Sequence, residues 1–161
     1  MSLSLEKELE KSLEKALESA GYEFFKIRVE LLKPGLEFIA RIKIVWGGVW
    51  LDSIYSYCES RVREIEKDTG KELDAETIST EIKQCIENSV EEEFLEYYLP
   101  SLMLDSGKVK ITAETYYEIN YNLDYADFVT LIELEYLYLE PHEIAEIVLK
   151  TLETLFTFKH L

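Results

Sequence analysis

Residues 22–46 read YEFFKIRVELLKPGLEFIARIKIVW. Apolar residues recur at every second position on both sides of Pro34-Gly35. Phe25, Ile27, Val29 and Leu31 share one face with Phe38, Ala40, Ile42, Ile44 and Trp46, while Lys26, Arg28, Arg41 and Lys43 point the other way. Proline presets φ at the first central position of a turn and glycine accepts a positive φ at the next. The segment therefore predicts a β-hairpin with strands at 22–33 and 36–46, one face buried and the other basic.

Working outward, Leu5, Leu9, Leu13, Ala16, Leu17 and Ala20 recur at three- and four-residue intervals, predicting an amphipathic helix stopped at Gly21. Lys7, Lys11 and Lys15 beside Glu10, Glu14 and Glu18 read as a solvated face with ion pairs. After Gly47-Gly48, the stripe Leu51, Ile54, Cys58, Val62 and Ile65 predicts a second helix stopped by Gly70. Asp74 is placed to cap a third helix with stripe Ile78, Ile82, Cys85, Val90, Phe94 and Tyr98, ending before Pro100. Its far side carries Glu87, Glu91, Glu92, Glu93 and Glu96.

A second hairpin follows, with strands at 108–121 and 128–139. Val109, Ile111, Ala113, Tyr117, Ile119, Ile132, Leu134 and Tyr136 face inward, and Glu114, Glu118, Glu133 and Glu135 face outward. A last helix opens with Pro141 and buries Ile144, Val148, Leu152 and Leu155.

The expectation is an α+β fold in which α-β-β-α occurs twice: a four-stranded antiparallel sheet from two β-hairpins packed with four helices. An offset of 90 residues pairs Ile42 with Ile132, Ile44 with Leu134, Ile54 with Ile144, Cys58 with Val148, Val62 with Leu152 and Ile65 with Leu155. A single domain, 1–161, with pseudo-repeats 1–71 and 72–161 is expected from that match. A chain of 161 residues is long enough to bury a core without disulfides or metal.

The formal net charge of −16 is divided unevenly. Residues 1–71 hold 12 basic and 13 acidic side chains, and residues 72–161 hold 5 basic and 20 acidic. Such a field repels nucleic acid and anionic membrane and attracts a basic partner. Direct nucleic-acid or membrane binding is therefore not expected. With no secretory pattern at the start, a cytoplasmic location is the expectation. Glu and Lys are abundant, with one glutamine and three asparagines. That balance points to a hyperthermophile source, an archaeon or an archaeal virus.

Cys58 and Cys85 both fall on helical stripes and read as small buried hydrophobes, with a disulfide between adjacent helices as the alternative. His142-Glu143-Ile144-Ala145-Glu146 is a faint echo of the zinc pattern HExxH, but Glu146 stands at the second ligand position. Acids in a first helical turn are favoured by the helix dipole alone. No metal, cofactor or catalytic residue is assigned. Tyr116, Tyr117, Tyr121, Tyr125, Tyr136 and Tyr138 crowd the second hairpin as strand filler, with an aromatic interface as the other reading.

The functional expectation is a non-catalytic acidic interaction protein, a homodimer that binds a basic protein partner, in one form a mimic of nucleic-acid charge that inhibits a nucleic-acid-binding protein. Its candidate residues are the acids at Glu87, Glu91, Glu92, Glu93, Glu96, Glu114, Glu118, Glu133 and Glu135, and the basic hairpin face at Lys26, Arg28, Arg41 and Lys43. The alternative is a small enzyme or ligand-binding protein with a pocket between helices and sheet.

Overall fold

The computed structural model describes residues 3–95 and 98–159. The elements run α1 (Leu3–Ser19), β1 (Lys26–Leu32), β2 (Phe38–Trp50), α2 (Asp52–Thr69), α3 (Ala75–Glu93), β3 (Leu102–Asp105), β4 (Val109–Asn120), β5 (Tyr125–Tyr136) and α4 (Pro141–Lys159). The fold is α+β, and its sheet has the strand order β1-β2-β5-β4-β3. The two hairpins lie side by side, with β2 next to β5.

The sheet has five strands, which corrects the expected four. The addition, β3, pairs antiparallel with β4, with Leu102 opposite Ala113 and Asp105 opposite Lys110. Four residues are too few to display a period-two pattern, and Met103 is 83% exposed, so the strand rests on its backbone ladder rather than on burial. Its turn is chemically specified. The Asp105 carboxylate accepts the Gly107 N–H at 2.9 Å, the Ser106 N–H donates to the Val109 carbonyl at 3.1 Å, and Gly107 has φ +82°.

The chain divides into two compact units. The first comprises Met1–Gly47, Tyr98–Tyr116 and Phe128–Leu161; the second comprises Gly48–Tyr97 and Tyr117–Asp127. In the first unit, α1 packs on β1 and on α4. Leu9, Leu13 and Leu17 of α1 meet Ile27, Val29 and Leu31 of β1, Ala40, Ile42 and Ile44 of β2, Ile132 and Leu134 of β5, and Val148, Leu152 and Leu155 of α4 in one buried cluster. The hairpin register follows the alternation, with Ile27 opposite Ile44 and Val29 opposite Ile42. Phe25 departs from it. It precedes β1 and is 69% exposed. Buried Thr130 is satisfied, its hydroxyl 2.6 Å from the Trp46 indole nitrogen and 3.3 Å from the Thr115 hydroxyl.

In the second unit, α2 packs on α3. Asp74 caps α3, its carboxylate accepting the Thr77 N–H at 2.7 Å; that bond holds the carboxyl below its ordinary range. Gly70 ends α2 in the left-handed conformation at φ +66°. The buried side chains include Leu51, Cys58, Val62, Ile86, Val90, Phe94 and Ala126. Cys58 and Cys85 form a disulfide between α2 and α3, with a Cα–Cα distance of 5.6 Å, which corrects the reading of two free thiols. The facing helices bring the two Cα atoms into the span that a disulfide requires.

Gly47 and Gly48 do not end the first hairpin, because β2 runs through them to Trp50. A Cβ on Gly48 would collide with the Ala126 carbonyl oxygen and the Tyr125 ring, so glycine is required here by close approach of β5 rather than by a break in the strand.

The edge strand β1 is closed by α1. The Glu10 carboxylate accepts the Val29 N–H at 2.9 Å, and the Glu6 carboxylate accepts the Leu31 N–H at 3.2 Å. These glutamates, of which Glu10 belongs to the helix face expected to be merely solvated, satisfy donors that an edge strand would otherwise offer to another chain. Replacing both by alanine is expected to cost about 1–3 kcal/mol in urea unfolding and to produce concentration-dependent association. Glutamine at both positions keeps the acceptor oxygens and should restore most of the loss. Equal losses in the two variants would show that the backbone bonds contribute nothing.

Candidate interaction surfaces

In the first unit, α1 and α4 are packed against one face of the sheet; on the opposite face Val45 and Val129 are buried, and the charged side chains farther along the strands reach solvent. The alternation places Lys26, Arg28, Arg41 and Lys43 on that face along β1 and β2; Arg28 and Arg41 are exposed, and Lys26 and Lys43 are half-buried. Register sets Arg28 opposite Lys43 and Glu30 opposite Arg41. On β4 and β5 the same face carries exposed Glu114 and half-buried Glu133 and Glu135. The two stripes meet at an ion pair in which the Arg41 Nε is 2.8 Å from a Glu133 carboxylate oxygen. With both side chains partly in water, the pair contributes at most about 1 kcal/mol.

Two depressions flank half-buried Leu131 on this face. One, of about 540 Å³, is lined by residues that include Lys26, Arg28, Arg41 and Lys43. The other, of about 320 Å³, is lined by Met103, Thr112, Glu114 and Glu133 among others. Near the acidic stripe, Glu37 hydrogen-bonds Glu135, and both that bond and the charge of Glu135 hold the Glu37 carboxyl above its ordinary range, against a lowering influence of Lys110. Two carboxylates in contact on an exposed surface repel unless a proton or a cation lies between them.

The remaining acids of interest belong to the second unit. Glu87 on α3 is half-buried, Glu91, Glu92 and Glu93 are exposed, and Glu118 on β4 is exposed; Glu96 lies outside the described residues. Glu87 and Glu91 do not simply face water. Burial first, and then their charges, raise the Tyr117 hydroxyl above its ordinary range, and burial with Glu87 does the same at Tyr121.

The same unit holds an open groove of about 630 Å³ that sequence reading does not reveal, lined by Leu51 and Tyr55, by Ile78, Ile82, Lys83 and Ile86 of α3, and by Tyr121 and Asp124. The Lys83 ammonium sits 5.9 Å from the centroid of the Tyr121 ring. Ile78 and Ile82 are read as core from their spacing, yet both stay half-buried because the apolar stripe of α3 changes faces along its length. Its buried end is Ile86, Val90 and Phe94, and its outer end lines the groove. The omission of Ile86 from the expected stripe hides that change. In this unit Trp50 and Leu123 are also exposed, at 66% and 67%.

The HExxE segment has structural work to do. The Glu143 carboxylate accepts the Glu140 N–H at 3.1 Å and pairs with the Lys108 ammonium at 3.1 Å, which together hold it below its ordinary range. This is the reach-back bond of a helix N-terminus. Among the described residues there is no group of three or more His, Cys, Asp or Glu able to hold a metal ion, and no helix is long and apolar enough to cross a membrane. No protein-family model matches the chain, and no match is found among curated proteins or solved structures.

Proposed function

We propose that the chain is a non-catalytic acidic interaction protein of the cytoplasm of a hyperthermophile or its virus, self-associating and binding a basic protein partner on its second compact unit. The supporting observation is where the charge lies. The second unit holds 5 basic and 17 acidic residues, a net of −12, against 12 basic and 16 acidic in the first, a net of −4. Its groove offers apolar and aromatic anchors of the kind that dominate binding energy, and the surrounding acids supply attraction and orientation. A partner whose own ligand is nucleic acid fits this chemistry, and the chain then acts as a competitor for its basic surface. The Cys58–Cys85 disulfide and the scarcity of amide side chains support the hyperthermophile assignment.

The test is a panel of basic nucleic-acid-binding proteins titrated against the chain at about 50 mM and about 500 mM salt. Salt-sensitive capture, weakened by reversing Glu91, Glu92 and Glu93 to lysine, is the expected result, because screening shortens the reach of exposed charges. Absence of capture at low salt across the panel removes the reading.

We also read the architecture as an internal duplication. Exchanging α1 with α3, β1 with β4, β2 with β5 and α2 with α4 reverses the order β1-β2-β5-β4 onto itself and turns the α1 and α4 pairing into that of α3 and α2, leaving β3 as an addition. Of the six matched pairs, Ile42 and Ile132, Ile44 and Leu134, Cys58 and Val148, and Val62 and Leu152 are buried in both copies, whereas Ile54 is half-buried against a buried Ile144 and Ile65 is 41% exposed against a buried Leu155. As one domain of two pseudo-repeats, the chain should unfold in a single calorimetric transition with equal calorimetric and van't Hoff enthalpies. Two resolved transitions count against it.

A further inference from the structure

We propose that the charged part of the first unit's sheet around Leu131, on the face opposite α1 and α4, is a self-complementary dimer surface, on which a second copy of the chain sits so that the β1–β2 stripe of each copy covers the β5–β4 stripe of the other. The inference rests on the self-association reading above and supplies the surface and symmetry that it lacks.

The argument starts from the strand order. With β2 and β5 adjacent at the centre, a two-fold axis parallel to the strands and above that seam carries β1 and β2 of one copy over β4 and β5 of the other. The charges are arranged for this exchange. Lys26, Arg28, Arg41 and Lys43 outnumber Glu30 on one side, and Glu114, Glu133 and Glu135 outnumber Lys110 on the other. The two depressions beside Leu131, one basic and one acidic, are thereby placed over one another, with Leu131 near the axis. An isologous contact of this kind closes on itself and needs no further partner.

Two further observations favour the face over the first edge of the sheet. The outward N–H groups of Val29 and Leu31 on β1 are already bonded to Glu10 and Glu6, so strand addition there has lost two of its donors. Exposed Met103, beside the acidic depression, adds apolar surface that association covers.

The test is sedimentation equilibrium of three proteins, with circular dichroism to establish that each is folded. The wild type is expected to be a dimer at micromolar concentration that weakens as salt rises. One variant carries Lys26→Glu and Arg28→Glu, the other Glu114→Lys and Glu135→Lys; Arg41 and Glu133 are left alone because they already pair within the chain. Each variant by itself sets like charge against like in both halves of the contact and should dimerise roughly a hundredfold more weakly. Mixed in equal amounts, the two restore opposite charges on both sides and should form a heterodimer at least as tight as the wild type. A wild type that stays monomeric at about 100 μM, variants that dimerise unchanged, or folded variants that do not pair with each other would each overturn the proposal. Capture of a basic protein by the second unit would survive all three results, so failure here is distinct from failure of the partner reading.

Discussion

Reducing the Cys58–Cys85 disulfide is expected to lower the stability of the folded chain by about 3.5 kcal/mol, the entropy that closing a loop of this length removes from the unfolded state. The bridge ties two helices across a sequence separation of 27 and spans a connection that contains Gly70 and the Asp74 cap. Cys58 is fully buried, so the double variant Cys58→Ser, Cys85→Ser adds the cost of placing a hydroxyl in an apolar site. Cys58→Ala, Cys85→Ala separates the two contributions. The measurement is urea unfolding with and without a reductant, followed by far-ultraviolet circular dichroism. A midpoint unmoved by reduction would mean that the unfolded chain gains no freedom when the bridge opens.

Truncating Leu134 to alanine is expected to cost about 3–4 kcal/mol. Its side chain is fully buried on β5, within the cluster that joins the α1 and α4 leucines to the strands. Removing three carbons there forfeits both their transfer from water and the contacts of a cavity that the rigid sheet cannot close. Leu137, one residue beyond the end of β5 and 64% exposed, is the matched control, and its alanine variant should lie within about 0.5 kcal/mol of wild type. Equal effects at the two positions would contradict the face assignment of β5.

That face assignment is legible in the sequence because β5 and β4 alternate over long stretches, and period two has a single solution when one face is buried. The same holds for 27–31 against 40–44, and Asp74, Gly70 and Pro141 mark helix ends by local chemistry alone. What escapes has specific causes. Strand β3 draws on hydrogen bonds to β4, which no side-chain pattern in Leu102–Asp105 announces. Gly48 looks like a strand terminator because its reason for being glycine sits nearly eighty residues away at Ala126. The disulfide depends on the packing of α2 against α3, and spacing along one helix carries no information about the rotation of its neighbour.

The charged candidates divide in the same way. Alternation places Lys26, Arg28, Arg41, Lys43, Glu114, Glu133 and Glu135 on their strands with the correct outward sense, whereas the groove around Ile82 and Tyr121 is composed of pieces from three separate stretches of chain. Summing charge by sequence half anticipates the concentration of acidic residues but not its boundaries, since the second compact unit takes α2 from one half and α3 from the other.

The seal that α1 lays along β1 works as a ruler. Four residues of helix advance about 6 Å, and two residues of strand advance about 6.7 Å, so glutamates spaced i to i+4 keep step with the outward amides of an antiparallel neighbour spaced i to i+2. Glu6 and Glu10 use that near-coincidence against Leu31 and Val29. The mismatch of under an ångström per step grows with length, which confines such a seal to a few rungs and suits it to a strand as short as β1. It also makes the spacing of these two acids a matter of phase. Inserting or deleting one residue between Glu6 and Glu10 would swing one carboxylate roughly 100° around the helix and off the strand, although composition and net charge would record no significant change.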